Sequence, residues 1–231
     1  MGRSGAVKYA VNEAFASIQG EGCHMGKACG FIRLQGCDQA CPWCDSAGTW
    51  HKNYLEKTPK KEAAEILDTL PTGLPFVVVT GGEPTLWDLH PLVEAIHARG
   101  MQAHLETAGH HPIRGRFDWI TVSPKPFAAH PLPDNLHKAH EYKLIVEGPG
   151  SLAASRAAIQ GGPYGVPIWL HPEWSKREDD EVKRVIIETV LREGEPYRAG
   201  WQLHKLYRAD ALSPTSAKRL IPLGGNPLNG Y

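Results

Sequence analysis

The sequence predicts an α/β protein with a mainly parallel sheet, closed into a partial rather than a complete barrel. Three observations lead there. Short apolar runs alternate with amphipathic stretches of helical spacing, the β-then-α rhythm of parallel sheets. The run Phe76-Val77-Val78-Val79 is apolar throughout, as suits a strand covered on both faces. Polar residues gather where the runs end: Gly81-Gly82-Glu83, Glu106-Thr107, Ser123-Pro124-Lys125, His171-Pro172-Glu173 and His204-Lys205. Ligands bind at that edge of barrels and open α/β sheets.

Taken in order, Phe31-Ile32-Arg33-Leu34 reads as a strand feeding a cysteine-rich loop. Thr58-Pro59 opens a helix, Thr as N-cap and Pro at the first helical position, with Ala63, Ile66, Leu67 and Leu70 as its buried stripe. After the strand at 76–79, Leu89, Leu92, Val93 and Ile96 mark a helix that Gly100 stops. Further strands are expected at 102–106, 119–123, 142–146, 168–170 and 201–203, and helices at 152–159 and 179–191. Six or seven strands are too few for an eight-stranded barrel. No repeat or linker splits the chain, so residues 1–231 read as one domain.

With 231 residues, 42% hydrophobic and 22% charged, the composition is that of a globular protein. No apolar run is long enough to cross a bilayer, and the N-terminus has no apolar core of signal-peptide type, so a cytoplasmic location is expected. Twenty-five basic and 25 acidic side chains cancel, which argues against a phosphate-gripping field and direct nucleic-acid binding. A small-molecule substrate is expected.

The five cysteines are Cys23, Cys29, Cys37, Cys41 and Cys44. An odd number, clustered, points to metal or catalysis rather than disulfides. The last three have the spacing C-x3-C-x2-C. Three thiolates on one loop can hold three irons of a cubane [4Fe-4S] cluster, leaving the fourth iron open to the amino and carboxylate groups of S-adenosylmethionine (SAM). The alternative is a zinc loop completed by His24, His51 or another cysteine. Zinc loops more often come as two CxxC pairs, and a second pair is absent. In Gly81-Gly82-Glu83-Pro84, after the buried strand, paired glycines let a ligand approach the backbone.

The cysteine loop followed by GGEP resembles the radical SAM superfamily. Within it, Gln19-Gly20-Glu21-Gly22, Phe31 to Cys37, Trp43-Cys44-Asp45-Ser46, Ser123-Pro124-Lys125 and Gln202-Leu203-His204-Lys205 look like the 7-carboxy-7-deazaguanine synthase family of queuosine and 7-deazapurine biosynthesis. The similarity spans roughly residues 9 to 208, leaving a C-terminal extension from about 209. It implies a shortened (β/α)6 barrel of the radical SAM type and a radical contraction of 6-carboxy-5,6,7,8-tetrahydropterin to 7-carboxy-7-deazaguanine with loss of ammonia. It also implies a [4Fe-4S] cluster, SAM, Mg2+, an electron donor such as flavodoxin or ferredoxin, and a homodimer.

The resemblance assigns roles residue by residue. Ile18, Gln19 and Gly20 match pterin contacts, Arg33 the partner of the substrate carboxylate, and Thr80 and His204 further substrate positions. Arg33 suits a two-pronged carboxylate contact, although an inner-face Arg can equally pair with a structural acid. Trp43, Cys44, Asp45, Gly82, Ser123, Pro124 and Lys125 match SAM-binding segments, and His171 stands where the family often has a Gln-Pro pair. Ser46 matches the hydroxyl that ligates Mg2+, against the plainer reading of a turn cap. Cys23 and Cys29 match no cluster position and read as packing residues. A glycyl-radical activase shares the cysteine spacing without requiring QGEG or SPK, and a zinc-binding interaction module is the alternative from a different class.

Overall fold

The computed structural model describes residues 7–50 and 58–212. Nine strands form one sheet in the order β3-β1-β2-β4-β5-β6-β7-β8-β9. β1 (Lys8–Ile18) and β2 (Ala28–Leu34) form an antiparallel hairpin, and β3 (Lys60–Glu62) pairs antiparallel with the start of β1. From β2 onward every neighbour is parallel: β4 (Phe76–Gly81), β5 (Gln102–Thr107), β6 (Trp119–Val122), β7 (Glu141–Val146), β8 (Ile168–Pro172) and β9 (Tyr197–Ala199). Among the described residues no ladder joins β3 to β9, so the barrel is open and partial, as expected.

Strand periodicity sorts side chains between two environments. Ile32 and Leu34 of β2, Val77 and Val79 of β4, Ala103 and Leu105 of β5, and Leu144 and Val146 of β7 join the main core. That core includes Leu92, Val93 and Ile96 of α2 (His90–Ala98) and Val182 and Ile186 of α5 (Asp180–Glu193). The alternate residues face the barrel interior. Cys29, Phe76 and Val78 form a separate small cluster there with Phe31, and Arg33 and Thr80 continue the same faces toward the C-terminal edge. The other helices are α1 (Ala63–Leu67), α3 (Pro133–Lys138), α4 (Pro149–Ala158) and α6 (Leu203–Leu206). No helix joins β5 to β6; Gly109 and Gly115, both at positive φ, turn that connection.

Several expectations are corrected. Thr58 and Pro59 do not open a helix. Lys60–Glu62 stays extended against Lys8–Ala10, and the Pro59 carbonyl accepts from Val11 N. α1 starts only at Ala63, where Glu62 and Glu65 form a reciprocal capping box. The strand expected at 201–203 lies earlier: Tyr197–Ala199 pairs with Ile168–Leu170, and Leu203 begins α6. Trp201 and Leu203 are apolar but have no ladder partner, since Leu203 N donates to the Gly20 carbonyl. β1 and α3 were not anticipated. A bulge between Val11 and Glu13 interrupts the alternation of β1, and α3 is only six residues long. The His51 of the zinc alternative and the extension beyond 212 lie outside the described residues.

Candidate active site

The C-terminal ends of the parallel strands surround a cavity of about 210 Å3. Its wall contains most of the residues singled out above: Ile18, Gln19, Arg33, Thr80, Gly82, Ser123, Lys125 and His204, with Cys37, Cys41, Trp43, Cys44, Asp45 and Ser46 from the cysteine loop. Three singled-out residues stand apart from this lining. A side chain on Gly20 would collide with His204, its ideal Cβ falling 1.9 Å from Nδ1, so Gly20 is the floor on which that imidazole rests. Pro124, between Ser123 and Lys125 in the chain, is buried. His171 is fully buried with both ring nitrogens unpartnered and its ring against Gly200.

All five cysteines are free. Cys37, Cys41 and Cys44 share the cavity wall, whereas Cys29 sits in β2 at the other end of the barrel interior and Cys23 lies in the connection between β1 and β2. Burial pushes the Cys37 thiol up, and burial with the neighbouring thiols pushes Cys41 up to about 11. Metal must therefore displace protons to bind here. Gln39 N donates to Cys37 Sγ (3.5 Å) and Trp50 Nε1 to Cys44 Sγ (3.4 Å). Three thiols with amide and indole donors around their sulfurs fit a cluster ligated at three irons. Ser46 Oγ lies 3.9 Å from Cys44 Sγ.

The loop enters through a close backbone contact. Gly82 N donates to the Leu34 carbonyl and Glu83 N to that of Gly36. A Cβ on Gly81 would lie 2.4 Å from Leu34 O, and one on Gly82 would lie 2.2 Å from Gly36 O. The paired glycines thus admit first the backbone of the cysteine loop's own entry. Glu83, 1% exposed, accepts from Thr85 N and Oγ1, Thr107 Oγ1 and Ala108 N at 2.6–3.0 Å. It fastens the end of β4 to the end of β5.

On the SAM side suggested by the resemblance, Lys125 Nζ donates to Ser123 O (2.8 Å) and Oγ (2.7 Å) and lies 5.5 Å from the centroid of Trp43. Burial pushes the Lys125 ammonium below its ordinary range. Trp43 Nε1 donates to Glu147 (3.1 Å). The Lys205 ammonium is 3.1 Å from the Asp45 carboxylate.

On the opposite wall, the β1 bulge sets Glu13 across from Arg33, and Arg33 Nε donates to Glu13 at 2.7 Å. Arg33 therefore has the structural acid of the plainer reading and still lines the cavity.

Among the lining residues given no role from the sequence are Glu21, Glu106, Lys143 and Gln202. Lys143, on the inner face of β7, bonds Glu21 and lies 3.6 Å from Glu106. Gln202 donates to Glu21 (2.7 Å) and Gln19 to Glu106 (2.9 Å). Burial alone would raise the Glu21 carboxyl, but the Lys143 ammonium, with His171 and His204 nearby, holds it well below the usual carboxylate range. Burial likewise works against Lys143, and the Glu106 and Glu21 carboxylates overcome it, keeping the amine protonated. The available signals were Glu21 within QGEG and a lone lysine inside the apolar strand at 142–146.

The radical SAM superfamily pattern matches residues 31–129, from β2 through the cysteine loop to just beyond the Ser-Pro-Lys segment. The 7-carboxy-7-deazaguanine synthase of Synechocystis sp. is 37% identical over 205 residues, covering 86% of this chain and 92% of that protein. The enzyme of the same name from Escherichia coli K12 is 33% identical, covering 86% and 98%. The crystal structure of QueE from Escherichia coli superposes with a TM-score of 0.70 at 31% identity, covering 85% of this chain and 95% of that one. Relatives more than 30% identical and aligned over most of both chains, one of them solved with a closely similar fold, make this chain a member of the 7-carboxy-7-deazaguanine synthase family within the radical SAM superfamily.

Proposed function

We infer that the protein is a 7-carboxy-7-deazaguanine synthase, contracting 6-carboxy-5,6,7,8-tetrahydropterin to 7-carboxy-7-deazaguanine with release of ammonia. The observation that carries this reading is the meeting of three free thiols, on one loop, with a cavity whose other wall offers Arg33, Gln19 and the Glu21–Lys143–Glu106 series. Cys37, Cys41 and Cys44 hold the [4Fe-4S] cluster, and Trp43, Asp45, Gly82, Ser123 and Lys125 surround SAM. Together the bound cluster and SAM supply the one-electron chemistry of the superfamily.

The protein's own groups bind and orient. Arg33, preset by Glu13, faces the substrate carboxylate; Ile18, Gln19, Thr80 and His204 border the ring. Lys143 and its two carboxylates provide a buried polar floor whose donors and acceptors can match a pterin edge. Ser46 supplies an oxygen to Mg2+, which prefers oxygen ligands and keeps several from outside the protein.

Membership of the family sets aside the activase and the zinc-loop module. The reading extends to a cytoplasmic homodimer that takes electrons from a flavodoxin or ferredoxin; no helix among the described residues is long and apolar enough to cross a membrane. Anaerobic incubation of cluster-loaded protein with the tetrahydropterin, SAM, Mg2+ and a reductant should yield 7-carboxy-7-deazaguanine and ammonia. SAM cleavage with no product from the pterin would overturn the substrate assignment.

A further inference from the structure

Beside the cavity, three metal-ligating side chains converge that the reaction does not use. Asp38 follows the first cluster cysteine, and His110 and His111 lie on the connection from β5 to β6. One ligand atom from each lies within 4.8 Å of the others. Asp38 Oδ1 is 2.8 Å from His110 Nε2, and Oδ2 is 2.7 Å from His111 Nε2. We propose that these residues hold a first-row divalent transition-metal ion, of which zinc is the type, clamping the cysteine loop to the β5–β6 connection.

Protons alone leave this cluster unsatisfied. His110 Nε2 faces both Asp38 Oδ1 and, at 2.7 Å, Gln39 Nε2. A protonated Nε2 donates to Asp38 but opposes the Gln39 amide hydrogens. Without its proton, it accepts from Gln39 and turns a lone pair on the carboxylate. Turning the Gln39 amide over gives one proton two acceptors and puts the NH2 group where Gln39 Oε1 now lies, buried and without a partner. His110 Nδ1 is also buried and unpartnered, on a side chain only 3% exposed.

A cation at the point of convergence resolves the conflict at His110 Nε2, although turning the Gln39 amide still puts its NH2 group where Oε1 now lies, buried and without a partner. Both Nε2 atoms and a carboxylate oxygen become ligands, and the turned Gln39 amide offers an oxygen as the fourth. The Nδ1 hydrogen of His110 is then directed toward Glu83 Oε2, 3.9 Å away, in the imidazole–carboxylate relation that orients metal-bound histidines. Two imidazoles with one carboxylate suit zinc or iron(II) rather than the all-oxygen surroundings of magnesium.

The frame is built in advance. Asn135, 1% exposed, donates to the carbonyls of Gly109 (2.7 Å) and His111 (2.6 Å). Glu83 accepts from Ala108 N, and Thr107 Oγ1 accepts from Gly109 N. The two imidazoles therefore stand on a fixed backbone, while the partly exposed Asp38 and His111 leave a route of entry.

Zinc alone is the probe. Anaerobically reconstituted holoprotein is freed of loosely held metal and titrated with Zn2+ against a chromophoric chelator. One zinc per chain is expected beyond about four irons. The double variant His110→Gln/His111→Gln should lose on the order of a hundredfold in zinc affinity with iron content unchanged. If the double variant misfolds, His111→Gln alone, on the exposed side, should still lose about tenfold. Zinc-edge absorption should show a nitrogen and oxygen shell. Wild-type protein that takes up no zinc, equal uptake by the variants, or a sulfur shell placing zinc in the cysteine loop would each overturn the proposal. None of these readouts depends on turnover.

Discussion

At the scale of single residues, the five cysteines divide by surroundings. Cys37→Ala, Cys41→Ala and Cys44→Ala should each abolish SAM cleavage and lower iron content, because each removes a cluster ligand. Cys29 packs with Phe76 and Val78, far along the barrel from the loop. Cys29→Ala should keep its iron and lose only about 1 kcal/mol of stability in urea; iron loss would refute the division. Ser46→Ala should lower turnover and magnesium dependence together while sparing iron content, and Ser46→Thr should remain active. An alanine variant with an unchanged magnesium response would leave Ser46 as a turn residue. Arg33→Lys should weaken pterin binding by about 1.5–3 kcal/mol, through loss of a charge-assisted two-pronged contact, with the cluster intact. These residues were legible because the chemistry requires particular side chains at short spacings. Lys143 was not, since its importance comes from Glu21 and Glu106, 122 and 37 positions away, meeting it inside the barrel.

Between elements, the decisive contact is the seam joining the ends of β2, β4 and β5. Glu83 receives four hydrogen bonds while almost fully buried. Glu83→Gln keeps the shape, but it aims an NH2 group at donors and should cost about 3 kcal/mol in urea unfolding. An unchanged midpoint would show the seam to be held elsewhere. The parallel strands were readable because strands buried on both faces leave unbroken apolar runs. The two misplaced elements have a common cause. Thr58-Pro59 carries a sound helix-start signal, yet the free edge of β1 captures Lys60–Glu62 as a strand. Trp201 and Leu203 look like strand residues, but β9 closes four residues earlier on β8. Local preference predicts what a segment can do; the available partner decides what it does.

For the molecule as a whole, the two most strongly shifted histidines set acid tolerance. Burial lowers His104 and His171 from 6.5 to about 4. Between those values the unfolded chain binds protons that the folded rings refuse. Stability therefore falls as pH drops from 6.5 toward 4 and levels off below, by roughly 3 kcal/mol per ring. The lowered Glu21 carboxyl acts in a different window, losing its contribution only as pH falls below the ordinary range of a glutamate. His104 stacks on Phe76 with centroids 4.2 Å apart, so a phenyl ring can take its place. His104→Phe should flatten the loss between pH 7 and pH 5 by about half in urea unfolding; the same slope as wild type would exclude the ring as its source. Finally, His204 rests on Gly20 and Gln202 bonds Glu21, across some 180 positions of chain. On the ribosome, the cysteine loop therefore emerges long before the wall that will enclose it. A nascent chain stopped after β9 already has all three thiols but neither Gln202 nor His204. Cluster delivery before synthesis is complete would meet a half-open vessel, still lacking the wall that Gln202 and His204 complete.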